Sequence, residues 1–125
     1  VMLNLTPHAI TLQVREGTEV IFSTSGKVAR LTTEERVVGH YETQAGVGSV
    51  PIVETRVVGK DNIPDPMSNI QFIVSSMVLD SLDSEYHGLA FAPDTGSTAI
   101  RDSQGRIVAV TQFRTVPKEY SVADL

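Results

Sequence analysis

The sequence contains no cysteine and no tryptophan, and only 6% of its residues are aromatic. The missing cysteine excludes disulfides and thiolate metal sites, and it leaves the redox compartment open. The shortage of rings means that aliphatic side chains must fill any core. Positive charge is also scarce: 10 basic residues stand against 15 acidic ones, a net charge of -5. That balance argues against a general binder of DNA, RNA or anionic membrane, all of which reward a basic surface. No apolar run approaches the roughly 18 to 20 residues that span a bilayer, and no signal peptide is recognisable. The default expectation is therefore a cytoplasmic protein with no membrane partner. No glycine-rich loop has Walker or Rossmann spacing. The three histidines, His8, His40 and His87, stand at no helical i, i+4 spacing with another ligand. No metal site and no cofactor is expected.

What is present suits one domain. A chain of 125 residues with 41% hydrophobic content can bury a core, and it is too short for two domains of ordinary size. Ala9 to Val14 alternates apolar and polar residues, as a half-buried strand does. The turn Glu16-Gly17 leads to a second β-rich run, Thr18 to Thr24, and together they read as a hairpin. Further strands are expected over Glu35 to Thr43 and over Pro51 to Val58, joined by a loop at Ala45 to Ser49. Gly59 to Asn69, with Pro64 and Pro66, reads as a long loop. Ile70 to Val74 reads as a buried strand. Ser75 has N-cap chemistry for a short helix near residues 76 to 84, with Met77, Val78, Leu79 and Leu82 on its apolar face. Thr98 to Arg101 and Arg106 to Phe113 read as strands around a tight turn at Asp102 to Gly105. Pro117 to Leu125 is polar enough to be a flexible or partner-wrapping tail. The expected fold is α+β, a mainly antiparallel sheet with one or two short helices in a single domain over residues 1–125.

Asp94-Thr95-Gly96-Ser97 is the tetrapeptide of aspartic protease active sites, in which two aspartates share a proton. Pro93 interrupts the apolar strand that should lead into it, and only 31 residues follow Asp94, too few to complete that fold. An Asp-Gly turn explains the same residues. Ser75 and Ser76 lack the surroundings of a nucleophile elbow, and serine at a strand-to-helix step is more often a cap. No catalytic residue is assigned.

The arginines remain. Seven of the ten basic residues are Arg15, Arg30, Arg36, Arg56, Arg101, Arg106 and Arg114. A planar guanidinium suits phosphate and stacks on purines. An acidic protein can still bind a small phosphorylated ligand if a few arginines converge. The competing reading is ordinary surface charge pairing, and it weakens if Arg56 and Arg101 line one cavity.

Asn4-Leu5-Thr6-Pro7-His8-Ala9, Ser25-Gly26-Lys27-Val28-Ala29-Arg30, Pro51-Ile52-Val53-Glu54-Thr55-Arg56, Ile73-Val74-Ser75 and Pro93-Asp94-Thr95-Gly96 with Ile100-Arg101-Asp102 resemble a family of small phage and prophage proteins. Within it, the chain resembles the first Thoeris anti-defence (Tad) family of nucleotide sponges. That resemblance implies a homo-oligomer, a dimer or larger, in the cytoplasm of an infected bacterium. Such a protein sequesters a cyclic ADP-ribose isomer, and also cyclic oligonucleotides, without cleaving them. It also implies site residues. Arg56, Arg101 and Arg106 would hold phosphates and Phe72 would stack on adenine. Ser84-Glu85-Tyr86-His87 occupies the place of an expected asparagine, with Tyr86 offered as a second stacking ring. Nanomolar sequestration corresponds to roughly 12 kcal/mol, which calls for an enclosing site. Two rivals stand beside this expectation: a hydrolase of such a signal, and a small structural or assembly protein of a virion.

Overall fold

The computed structural model describes residues 2–118. The fold is α+β, with mostly antiparallel strands and a single short α-helix. The tail expected from Pro117 lies, beyond Lys118, outside the described residues. By its contacts the chain forms two compact units. One comprises the residues up to Arg30 and those from Asn62 onward, and the other is Leu31–Asp61.

The first unit opens with the short strand β1 (Leu3–Asn4), followed by the hairpin strands β2 (Ile10–Arg15) and β3 (Thr18–Phe22). The hairpin forms where the alternation predicts it, with Ile10 opposite Phe22 and Leu12 opposite Val20. Gly17 takes a φ of +80° in its turn, a left-handed conformation that a side chain disfavours.

The second unit is a two-stranded ribbon of β4 (Arg30–Glu42) and β5 (Ser49–Asp61), whose first residue, Arg30, belongs by contacts to the first unit. Both strands run further than the β-rich runs alone indicate. β4 starts at Arg30 rather than Glu35, and β5 adds Ser49 and Val50 before Pro51 and Gly59 to Asp61 after Val58, by backbone pairing that side-chain propensity does not report. No residue from Leu31 to Asp61 is buried.

After Asn62 the chain returns to the first unit. The expected loop there contains a single 3-10 turn at Pro66–Ser68, capped by the Asp65 side chain. Then come β6 (Phe72–Ile73) and the helix α1 (Ser76–Asp80). Ser75 is the N-cap as expected, its Oγ accepting from the Val78 N–H at 3.3 Å. The helix stops at Asp80 rather than 84, because Ser81 Oγ turns back to the Val78 carbonyl and Asp83 starts a separate 3-10 turn over Ser84–Tyr86. Met77 is exposed, so the apolar face is Val78, Leu79 and Leu82.

β7 (Ala90–Pro93), β8 (Ile100–Arg101), β9 (Ile107–Ala109) and β10 (Phe113–Thr115) complete the unit. A four-stranded sheet of order β1-β6-β7-β10 forms its centre. β6 runs parallel to both β1 and β7, whereas β10 pairs antiparallel with β7. Leu5, Phe72, Ile73, Val74, Ala90 and Ala92 are buried around it. Burying a large apolar side chain contributes about 1.5–3 kcal/mol. Alanine on β7 admits the larger residues of β6 and α1.

Candidate functional site

The opening Asn4-Leu5-Thr6-Pro7-His8 is explained by one buried polar residue. Asn4 is 2% exposed and uses its amide completely. Its Nδ2 donates to the carbonyls of His8 and Phe22, both at 2.9 Å. Its Oδ1 accepts from the Thr6 N–H at 3.0 Å and the Thr6 hydroxyl at 2.7 Å. The motif is thus a clamp that ties the first turn to the end of β3.

Asp94 likewise closes a turn. Its Oδ1 accepts from the Gly96 N–H at 3.0 Å, and its Oδ2 accepts from Gln112 Nε2 at 2.7 Å. The Gln112 amide and then the Gly96 N–H hold the carboxyl below its ordinary pKa, so it serves as an ionised acceptor. Asp102 does the same in the next turn, lowered first by the Arg106 N–H and then by that of Gln104.

The sequence-predicted arginines have distinct local roles. Arg101 donates to the carbonyls of Gly105 (2.9 Å) and Thr95 (3.1 Å), which pins two turns together. Arg106 Nε lies 3.2 Å from Asp102 Oδ2, an exposed ion pair inside one turn. Both guanidinium groups are engaged in holding turns.

The two predicted rings do meet, but inside the first unit. Phe72 is 1% exposed and packs edge-on against Tyr86, with ring centroids 5.9 Å apart. Enclosed on all sides, Phe72 offers no open face to a base. The apolar run Ile70 to Val74 already marked it as core. Tyr86 donates its hydroxyl to the Pro64 carbonyl at 2.9 Å. Burial, and then the charges of Asp65, Asp83 and Glu85, raise its pKa, so it stays neutral.

Arg56 differs. It lies on β5 with its side chain 70% exposed, and its partner is Glu34 of β4 at 3.8 Å. Beside it Arg36 and Glu54 repeat the pair in the opposite sense, also at 3.8 Å. At that distance the ion pairs are longer than hydrogen bonds, so neither guanidinium fork is locked. The four side chains line a cavity of about 190 Å³. Two arginines and two glutamates therefore share one face of the ribbon. Sequence reasoning singled out Arg56 and missed Arg36, Glu34 and Glu54 as its companions. The signal was a Glu-x-Arg repeated in both strand runs, Glu34-Glu35-Arg36 and Glu54-Thr55-Arg56. Period-two alternation puts the outer members of each on one face.

Among the described residues, no group of three or more His, Asp or Glu could hold a metal ion, and no helix is long and apolar enough to cross a membrane. The chain matches no protein-family model, no curated protein and no solved structure.

Proposed function

We propose that the protein binds and sequesters a cyclic ADP-ribose isomer, or a related cyclic oligonucleotide, without cleaving it. This would make it a phage anti-defence sponge in the cytoplasm of an infected bacterium. The observation that carries the reading is the unlocked pair Arg36 and Arg56 around one small cavity. Each guanidinium can leave an exposed carboxylate, at a cost of at most about 1 kcal/mol, for a bidentate phosphate bond. Glu34 and Glu54 then have the chemistry to accept ribose hydroxyls. In this reading Arg56 and Arg36 hold the phosphates together, while Arg101 and Arg106 shape the turns of the other unit.

A specific observation favours a second reading, assembly into a larger structure such as a virion. Val37, Tyr41, Val53 and Val57 are exposed on the ribbon, and by alternation they share the face opposite the charges.

Titration calorimetry separates the two readings. Arg56→Ala should weaken nucleotide binding by about ten- to a hundredfold, the scale of a charged hydrogen bond, and leave the melting temperature unchanged. Heating the complex should release intact ligand. Release of a cleaved product would establish a hydrolase, and binding unaffected by Arg56→Ala would move the site elsewhere.

A further inference from the structure

Each guanidinium on the charged face of the ribbon has a carboxylate on two sides. Across the strands Arg36 meets Glu54 and Arg56 meets Glu34, both at 3.8 Å. Along the strands Glu34 precedes Arg36 and Glu54 precedes Arg56 by two residues, a step of about 6.6 Å. Two residues further along each strand the same face is uncharged, with Thr32 and Val38 on β4 and Ile52 and Val58 on β5. These four neighbours add no third cation, and the quartet has no net charge.

A phosphate that takes an arginine's fork pushes a glutamate aside without removing it. The carboxylate stays anchored to a neighbouring Cβ, about 4.5–5.5 Å away across the strands. A phosphodiester or a bridged pyrophosphate brings one negative charge per phosphate, and two arginines balance two of them. A terminal phosphate carries close to a second charge at neutral pH, its second pKa being about 6. That extra charge finds no free arginine and faces a carboxylate. Two like unit charges about 5 Å apart weaken binding about fourfold in bulk water, and a few hundredfold at the effective dielectric of a protein surface.

We propose that Glu34 and Glu54 are specificity-determining residues of this face. They exclude ligands with a terminal phosphate and admit those whose phosphates are all esterified or bridged. The selectivity rests on the nucleotide reading of the site and deepens it. ATP and other nucleotides with terminal phosphates far outnumber any signal in a cell, and a sponge that took them up would be filled by them. Specificity of this kind comes from a repulsive element set against the wrong ligand.

Glu34→Gln with Glu54→Gln tests this, since it keeps the size and the accepting oxygen of both side chains and removes their charge. Titration calorimetry compares the unaltered full chain and this variant against a cyclic ADP-ribose isomer, ADP-ribose and ADP. The last two share one adenosine pyrophosphate, which is bridged in ADP-ribose and terminal in ADP. The unaltered chain should bind ADP at least about tenfold more weakly than ADP-ribose, and the variant should bring the two within about threefold through a gain for ADP. Circular dichroism checks folding, and either single glutamine substitution, with a smaller gain in the same direction, serves if the double variant does not fold. ADP affinity that the variant leaves unchanged would show that shape excludes the terminal phosphate. An equal gain for ADP and ADP-ribose would show that the glutamates only occupy the arginines. Equal binding of both by the unaltered chain would show that nothing is excluded. Each of these three results overturns the proposal and leaves the nucleotide site standing. An unaltered chain that binds none of the three ligands removes the nucleotide reading, and the selectivity with it.

Discussion

Asn4 is the residue whose loss should be felt most. Removing its amide takes a donor from the carbonyls of Phe22 and His8, the latter keeping only the Thr6 hydroxyl, and leaves the Thr6 N–H without its acceptor. An unsatisfied buried polar group costs about 1–3 kcal/mol. Asn4→Ala is therefore expected to destabilise the fold by about 2–4 kcal/mol, measured as a lower urea midpoint at unchanged slope. Asn4→Asp should be no better, because it sets a carboxylate against two carbonyls. A loss under 1 kcal/mol in Asn4→Ala would show that the clamp contributes little.

Titration at Asp94 and Asp102 is a second matter for single residues. Both carboxyls are held below 3.8 by N–H donors that favour the ionised form. Their stabilisation is present above the ordinary pKa and is lost as the pH falls through the lower native value. Carboxyl carbon shifts should report values under 3.8 for both. The amide protons of Gly96, Gln104 and Arg106 should lose exchange protection in the same acid window. Titration at or above 3.8 would contradict the turn geometry. Tyr86 has the opposite sense. Its contribution is present below pH 10 and is lost as the pH rises through its raised native value. Tyr86→Phe removes the bond to Pro64 and should cost about 0.5–1.5 kcal/mol.

At the scale of elements, local rules carry some segments and fail others. The alternation of Ile10 to Val14 and the Glu16-Gly17 turn are sufficient to place the β2–β3 hairpin, because both determinants lie within a few residues. Ser75 marks the start of α1 for the same reason. Its end at Asp80 was not legible, since apolar spacing continues to Leu82 while Ser81 and Asp83 redirect the backbone. Ser75→Ala should cost about 1 kcal/mol, the usual loss for a helix cap, seen as a lower thermal midpoint. β7 was missed because Ala90-Phe91-Ala92-Pro93 has weak β propensity. Its pairing with β6 and β10 decides its state, and such partners are distant in sequence. The candidate site was legible in part for a related reason. Arg56 stood out in a β-rich run, but its register against Glu34 depends on strand pairing. Phe72 was misplaced as a stacking ring because the resemblance outweighed the apolar run that contains it.

At the scale of the whole molecule, an acidic chain presents one charge-balanced face on a ribbon that buries nothing by itself. In the proposed function arginine would act there through local geometry rather than through the net charge of -5. Salt should weaken nucleotide binding at these arginines, since the pairs are exposed. The most direct measurement is titration calorimetry of the unaltered protein against cyclic ADP-ribose isomers and cyclic di- and trinucleotides. Saturable binding of one ring-closed ligand, weakened about ten- to a hundredfold in Arg56→Ala, is the predicted result. No binding of any of them, in protein shown to be folded, would contradict the nucleotide reading and leave the ribbon as an assembly surface alone.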